Sequence, residues 1–224
     1  MNICVIGGGG PAGRFGRDFC DRARAEGHNV YVLSHQDYQQ NDPKQTWADF
    51  NNIDNVVTKF TQLISAVDHI DIFIYNSKQS LKGSFPYAAQ HFGSTTNVNY
   101  AKGWYNTVDI HAVIPHRLCV AALKKMSSSS KLVFMVSGLA MNFDRDHWTS
   151  SVGYAVGKAA QIFLMMAFSA HNDRGAISTA VSPHFEYSDP DYYKIIFNRV
   201  YKHILDMDQN QNGKIKQFIT KEEQ

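Results

Sequence analysis

A tyrosine and a lysine four residues apart, Tyr154 and Lys158, form the pair in this chain best suited to proton transfer. Residues at this spacing share one face of a helix, so the ammonium is expected near the phenol. A nearby positive charge favours the phenolate and lowers the tyrosine pKa, as a general acid/base at cellular pH requires. The same spacing also arises by chance, as an exposed lysine beside a half-buried tyrosine. The pair therefore needs support from the rest of the sequence.

A glycine-rich segment, Gly7 to Gly16, follows the first apolar run, Asn2 to Ile6. The run is typical of a buried parallel strand, and Arg14 to Glu26 is predicted to be a helix. Glycines at such a junction allow a ligand to approach the backbone, and the helix N-terminus attracts a pyrophosphate. Two spacings fit, Gly8-x-Gly10-x-x-Gly13 and Gly10-x-x-Gly13-x-x-Gly16. A dinucleotide site is favoured over a tight turn without a ligand.

The end of the second predicted strand, Asn29 to Leu33, bears on which dinucleotide binds. An acidic residue there commonly accepts hydrogen bonds from the ribose hydroxyls, but here Ser34 and His35 follow the strand. Arg14, just inside the first helix, can pair with an additional 2′-phosphate. NADP is therefore preferred over NAD, with a solvated Arg14 as the alternative interpretation.

Strands alternate with helices along the whole chain. The further predicted strands are Thr46 to Ala48, Asp71 to Tyr75, Lys131 to Val136, Ala176 to Val181 and Lys214 to Ile219, and the further helices are Asn55 to Ala66, Trp104 to Met126, Gly153 to His171 and Asp191 to Asp206. This alternation predicts an α/β fold, a Rossmann-like doubly wound parallel sheet of about seven strands with helices on both faces. Ser77 to Asn99 lacks a clean period and is predicted to be a long functional loop. With 224 residues, a single domain over 1–224 is expected.

Composition and charge exclude several classes of function. The net charge is +2, without a basic block, so neither nucleic acid nor a membrane is expected as a partner. No apolar run reaches the roughly eighteen residues that span a bilayer, and no signal segment opens the chain. The cysteines and histidines show no metal-binding spacing. The segment Asp208 to Gly213 imitates only the start of a calcium loop, because Ile219 stands in place of the closing Glu, and a turn is favoured there, so no metal is predicted. A cytoplasmic protein is expected.

These features, in this order, resemble the short-chain dehydrogenase/reductase family: a glycine turn after the first strand, Asn76 after the fourth, and Tyr154-x-x-x-Lys158 on a late helix. The resemblance covers nearly the whole chain and is that of a divergent member. Asp49 occupies the family's adenine-contacting acidic position. Asn76-Ser77 looks like the end of the family's Asn-Asn-Ala-Gly segment, of which only the second Asn is present. Ser182-Pro183 looks like the Pro-Gly turn beside the nicotinamide, with His184 replacing the glycine.

The resemblance implies hydride transfer between a nicotinamide and a carbonyl or alcohol, with Tyr154 exchanging the proton at the substrate oxygen. Lys158 would hold the nicotinamide ribose and lower the tyrosine pKa, while a serine hydroxyl polarises the substrate oxygen. His111 falls where the family usually has an asparagine that supports a proton relay through the lysine. A histidine can hold a water, but a histidine satisfied by its neighbours fits equally well.

Ser137 is the candidate catalytic serine, although its separation from Tyr154 is longer than is usual in the family. With a strand register shifted by one residue, Gly138 takes the catalytic position, and Ser150 or Ser151 becomes the substitute. A strand-end serine bonded to a neighbouring backbone group is the alternative. The implied catalytic residues are therefore Tyr154, Lys158, Ser137 and His111.

The predicted cofactor-binding residues share positions at strand ends and at the start of the first helix. They are Gly7, Gly10, Gly13, Arg14, Phe15, Gly16, Ser34, His35, Asp49, Phe50, Asn76, Ser77, Lys158 and Pro183.

Two functions from different classes remain open. The first is an NADP-preferring reductase of a small or medium carbonyl compound, or a dehydrogenase of the alcohol, and the aromatics of Ser77 to Asn99 and Phe185 to Tyr193 suggest an apolar or ring-bearing substrate. The second is a catalytically impaired dinucleotide sensor or scaffold. Two apolar helices, Trp104 to Met126 and Gly153 to His171, resemble those of the family's contacts, which implies a homodimer or homotetramer.

Overall fold

The computed structural model describes residues 1–7, 14–35, 42–77, 108–141, 152–185 and 188–218. The strands are β1 (Asn2–Ile6), β2 (Asn29–Ser34), β3 (Gln45–Trp47), β4 (Ile72–Tyr75), β5 (Lys131–Met135), β6 (Ile177–Pro183) and β7 (Ile215–Phe218). The α-helices are α1 (Arg14–Ala25), α2 (Ile53–Ser65), α3 (Ile114–Leu123), α4 (Val152–His171) and α5 (Pro190–Asp206). A π-helical turn (Asp109–Val113) leads directly into α3, and short 3-10 turns lie at Gly138–Ala140 and Gln209–Gln211. In these ranges, no helix is long and apolar enough to cross a membrane.

The seven strands of the described residues form one parallel sheet in the order β3-β2-β1-β4-β5-β6-β7. β1 pairs with β2 on one side and β4 on the other, for example Ile6 with Leu33 and with Tyr75. The direction of chain progression reverses between β1 and β4, so their carboxyl ends border the crevice where ligands of such sheets bind. The predicted doubly wound parallel sheet of about seven strands is confirmed.

Both faces of the sheet are covered, because successive side chains on a strand point to opposite faces. On β1, Ile3 and Val5 pack in the layer that contains α1 and α5. Cys4 and Ile6 pack in the opposite layer with α2, α3 and α4. The two apolar layers leave the carboxyl edge of the sheet as the place where polar groups gather.

The bounds of several elements differ from the sequence predictions. α2 begins at Ile53 instead of Asn55, because the Asn52 side chain caps the helix by accepting a hydrogen bond from the Asn55 N–H at 3.0 Å. β6 runs on through Pro183, which pairs with Phe218, since a proline at the last position removes only one N–H. β3 lies one residue earlier than predicted. Of the predicted functional loop, only Ser77 is among the described residues.

The predicted helix Trp104 to Met126 is not one regular helix where it is described. Its first described turn is π-helical, with the Ile114 N–H bonded to the Asp109 carbonyl, and α3 ends at Leu123. Pro115 explains the irregularity, because it has no N–H to bond the carbonyl of His111 four residues earlier and its ring would collide with that carbonyl. The π turn thus lies where Pro115 interrupts the helical hydrogen bonding, and it carries His111.

Candidate active site

The crevice at the carboxyl edge begins with Gly7, which directly follows β1. Its N–H donates to the Leu33 carbonyl at 2.8 Å, and its φ of 85° is in the left-handed region. A Cβ here would lie 2.9 Å from both Cα and N of Ser77, so only glycine fits. The Asn76 amide donates to the Gly7 carbonyl at 3.3 Å. Asn76 thus ties the ends of β1 and β4 together.

Lys158 of α4 is buried at this edge, with 2% of its surface exposed. Its Nζ donates to the main-chain carbonyl of Met135 at 2.7 Å, to that of Ser77 at 3.3 Å, and to the Oε1 of Gln161 at 3.0 Å. The ends of β4 and β5 therefore position this ammonium. Lys158 is therefore not the exposed lysine that the same spacing could have produced by chance.

Tyr154 lies one helical turn before Lys158 and is half-buried. The Nζ of Lys158 is 5.7 Å from the centroid of the Tyr154 ring. The ring of His111 meets the Tyr154 ring edge-on, with 5.9 Å between centroids and an interplanar angle of 82°. The structure thus brings together three of the four residues predicted to act in catalysis.

His111 is buried between the π turn and α4. Its Nδ1 is 3.0 Å from the Nε2 of Gln161, and it lies against the surface of α4 at Gly157. Burial, followed by the charge of Lys158, holds the pKa of His111 well below its ordinary range. A histidine satisfied by its neighbours is what the structure shows, and it is also adjacent to Tyr154.

Gln161 was not identified by the sequence reasoning, although it is fully buried and joins His111 to Lys158. A signal was present: a glutamine opens the apolar run Ile162 to Met166, three residues after the lysine. Residues three apart on a helix are neighbours, so Gln161 was within reach of Lys158.

Ser137 lies just past β5, two residues after Met135, whose carbonyl accepts from Lys158. The Ser137 carbonyl accepts from the Ala140 N–H at 2.9 Å, which starts the 3-10 turn Gly138–Ala140. Ser137 is half-buried, and Gly138 is exposed. The substitutes Ser150 and Ser151 lie outside the described residues, as do the predicted cofactor residues Gly10 and Gly13.

A cleft of about 150 Å³ opens beside the ends of β2 and β3. It is lined by His35, Trp47, Ala48, Asp49, Phe50, Asn51, Ser77 and Ile110. Asp49 is held in place, because its Oδ1 accepts from both the backbone N–H and the side-chain amide of Asn51 at 3.0 Å. Four residues predicted to bind a cofactor, His35, Asp49, Phe50 and Ser77, therefore line one cleft.

Five further predicted cofactor residues do not line this cleft. Arg14 Nε is 3.5 Å from Asp18, and its guanidinium lies 4.1 Å from the centroid of the Tyr193 ring. Phe15 is buried and stacks on Phe185 with 5.2 Å between centroids. The remaining three are buried or half-buried at element ends: Gly16 in α1, Ser34 ending β2 and Pro183 ending β6.

A comparison of the sequence with protein-family models finds no match. A comparison with curated proteins finds none either.

Solved structures, in contrast, match over nearly the whole chain. A mutant short-chain dehydrogenase/reductase from Serratia marcescens has 14% sequence identity and a TM-score of 0.73, with 97% of this chain and 95% of that chain covered. A putative oxidoreductase from Escherichia coli has 12% sequence identity and a TM-score of 0.74, and the match covers 97% of this chain and 95% of that chain. A short-chain dehydrogenase from Burkholderia cenocepacia in complex with NADP has 16% sequence identity and a TM-score of 0.67, and the match covers 96% of this chain and 95% of that chain. The resemblance predicted from the sequence is thus confirmed at the level of the fold.

Proposed function

We propose that this chain, which has the fold of the short-chain dehydrogenases/reductases, is a member of that family and an NAD(P)-dependent oxidoreductase. The observation that carries the proposal is the burial of Lys158 at the ends of β4 and β5, with Tyr154 one turn away on the same helix. A buried lysine beside a tyrosine in the crevice of a parallel sheet is an arrangement suited to proton transfer.

The residues at the crevice fit a dinucleotide. Gly7 packs against the backbone of Ser77 with no space for a side chain, which holds the ends of β1 and β4 close together at the crevice. The cleft beside Asp49 would take the adenine, and Lys158 would bond the nicotinamide ribose by giving up the 3.3 Å hydrogen bond to the Ser77 carbonyl. The cofactor would supply the hydride.

The protein's own part in the reaction is to move one proton and to hold the reacting oxygen. In the reductive direction, Tyr154 would donate its hydroxyl proton to the carbonyl oxygen of the substrate. The positive charge of Lys158 would favour the resulting phenolate. Ser137, at the end of β5, would donate a hydrogen bond to the same oxygen.

We favour NADP over NAD, and a small or medium carbonyl substrate. Of the aromatics expected to contact a substrate, Phe185 stacks on Phe15 and lies against Tyr193, and Tyr192 is buried, so these described rings pack within the protein. β2 ends in Ser34 and His35, so no carboxylate at this strand end repels a 2′-phosphate. Arg14 would have to leave Asp18 and Tyr193 to pair with that phosphate, so an NADP preference requires this rearrangement.

The test is a titration with NADPH and NADH, followed by turnover measurements against a panel of aldehydes and ketones. Wild type should bind NADPH more tightly and reduce at least one compound, while Tyr154→Phe should bind NADPH as wild type does and lose turnover by at least about a hundredfold. Tyr31→Phe, a change of the same kind on β2, is the matched control and should retain turnover. Tighter binding of NADH would contradict the NADP preference, and unchanged turnover by Tyr154→Phe would contradict its role.

A sensor or scaffold is the second candidate, and one observation favours it. The ammonium of Lys158 already bonds three protein oxygens, so it would need to release one before it binds a ribose. Cofactor binding without turnover of any compound by wild type would support this candidate and refute the oxidoreductase. Binding of neither dinucleotide would refute both.

We also propose that a second copy of the chain covers the outer face of α4, as a homodimer or part of a homotetramer. Phe163 is 72% exposed and Met166 is 51% exposed on this face, which is unusual for such large apolar side chains. Light scattering should give a dimer or tetramer for wild type and a smaller mass for Phe163→Ser. A wild-type monomer at micromolar concentration would contradict the proposal.

A further inference from the structure

We propose that Gln161 is a positioning residue, which orients the Lys158 ammonium and holds His111 as a neutral imidazole with its hydrogen on Nε2. The hydrogen-bond assignment stands on geometry alone, whereas its effect on catalysis rests on the proposed function.

The direction of both hydrogen bonds follows from the chemistry of lysine. An ammonium has three donors and no acceptor, so the Gln161 atom 3.0 Å from the Lys158 Nζ must be the amide oxygen. The amide nitrogen, which is only a donor, is then the atom 3.0 Å from the Nδ1 of His111. Nδ1 must therefore accept and cannot carry a hydrogen. A neutral imidazole with a bare Nδ1 has its hydrogen on Nε2.

Because the three residues are buried, the opposite orientation of the Gln161 amide would cost free energy. Gln161, His111 and Lys158 expose 0%, 1% and 2% of their surface. A reversed amide would place its N–H₂ against the ammonium, so that two buried donors would face each other without an acceptor. Packing also fixes the distance between His111 and Gln161, because Gly157 lets the His111 ring lie directly on α4.

The charged and titratable groups around His111 agree with a neutral ring. α4 presents Lys158 and Tyr154 to it, and the hydroxyl of Tyr75 on β4 donates to the carbonyl of the neighbouring Ile110. Asp109 lies in the same π turn. The positive charge of Lys158 opposes a second positive charge on the imidazole.

The consequence for catalysis is that no proton passes between Lys158 and His111 through Gln161. A carboxamide that donates to one neighbour and accepts from the other would have to become an imidic acid to transfer a proton. His111 therefore supports the site by contact with Tyr154 and does not exchange protons with the lysine.

The first test uses wild-type protein and needs no variant. Nitrogen-15 NMR of the labelled histidine side chains, with His111 assigned from its loss in His111→Gln, should show a bare Nδ1 and a protonated Nε2 from about pH 5.5 to about pH 8. A hydrogen on Nδ1, or titration of the ring in its ordinary range, would overturn the proposal.

The second test changes the amide. Gln161→Glu offers oxygens that only accept, so His111 should gain a hydrogen on Nδ1, whereas Gln62→Glu, an exposed control on α2, should leave His111 as in wild type. Gln161→Met keeps the length of the side chain without either bond, and kcat should fall about tenfold to a hundredfold with a smaller change in KM.

The two proposals fail in different ways. A bare Nδ1 in a protein without any turnover leaves the assignment of Gln161 intact and refutes the proposed function. An active enzyme with a hydrogen on Nδ1 refutes the assignment and leaves the function intact. A His111 spectrum that is unchanged in Gln161→Glu also refutes the assignment.

Discussion

The His111 ring packs directly against Gly157: a methyl group at position 157 would lie 2.6 Å from Cδ2 of His111 and 2.7 Å from its Cγ. Such distances are too short for carbon atoms, so Gly157→Ala should displace the imidazole. Alanine in a helix is otherwise about 1 kcal/mol better than glycine, and overpacking costs about 1–3 kcal/mol. We expect a net loss of up to about 2 kcal/mol in the free energy of unfolding, measured by urea denaturation.

The double variant Gly157→Ala with His111→Ala isolates this contact. Once the ring is removed, the added methyl has space, so the two changes together should cost less than the sum of the single changes. Additive losses would show that Gly157 does not constrain His111.

Gly7→Ala should damage both stability and cofactor binding. Its φ of 85° disfavours a side chain, and the new Cβ would meet the backbone of Ser77 at 2.9 Å. We expect a loss of more than about 2 kcal/mol and at least tenfold weaker binding of NADPH. Gly27→Ala is the matched control, because Gly27 has a φ of 82° but no atom within 4 Å of the added carbon. Equal effects on the stability of the two variants would contradict the steric argument.

The buried imidazole should make the protein less stable in mild acid. The pKa of His111 is held well below its ordinary range in the folded state, so only the unfolded chain takes up this proton as the pH falls below about 6.5. Stability is complete above that pH, and up to about 1.4 kcal/mol is lost for each pH unit below it until the folded pKa is reached.

The contribution of His111 is measured by difference. The pKa of His203 is also lowered by burial, so wild type should lose stability through both groups, whereas His111→Gln should keep the contribution of His203 and lack that of His111. Urea denaturation at about pH 7.5 and about pH 5.5 should give a shallower decline for His111→Gln. The same decline in both proteins would contradict the buried neutral imidazole.

Pro115→Ala should convert the π turn to regular α-helix. The new N–H can bond the carbonyl of His111, so the ring should move relative to Gln161, and the bond between Nδ1 and the amide should be lost. A crystal structure of the variant, or the histidine NMR spectrum, will show it. Pro190→Ala is the control, since Pro190 occupies the first turn of α5, where no helical hydrogen bond is missing. A π turn that persists without Pro115 would mean that tertiary packing causes it.

The order of the strands and helices could be predicted from the sequence because each buried parallel strand is a short apolar run that ends in glycines or polar residues. Ile72 to Tyr75 is such a run and is buried throughout. The first and last residues of the elements were predicted less closely, because they depend on single contacts such as the cap of α2 by Asn52. The interruption before α3 was signalled by Pro115 but was not recognised.

The site was predictable only where its parts are close in the sequence. Tyr154 and Lys158 share a helix, so their spacing alone places them together. The pairing of Gln161 with His111 joins residues fifty positions apart and depends on how α4 packs on the π turn, which no local pattern contains. The side chain of Arg14 illustrates the same limit, because its contact with Tyr193 depends on the packing of α5 against α1.

Two of the three described acceptors of Lys158 are main-chain carbonyls, those of Ser77 and Met135. Every amino acid carries such a carbonyl, so the anchoring of the ammonium does not depend on which side chains occupy positions 77 and 135. The side chains at these two positions can therefore change without loss of the lysine's hydrogen bonds, provided that the ends of β4 and β5 keep their positions. A chain that shares its fold with solved structures at only 12% and 16% identity can keep its own lysine anchored in this way.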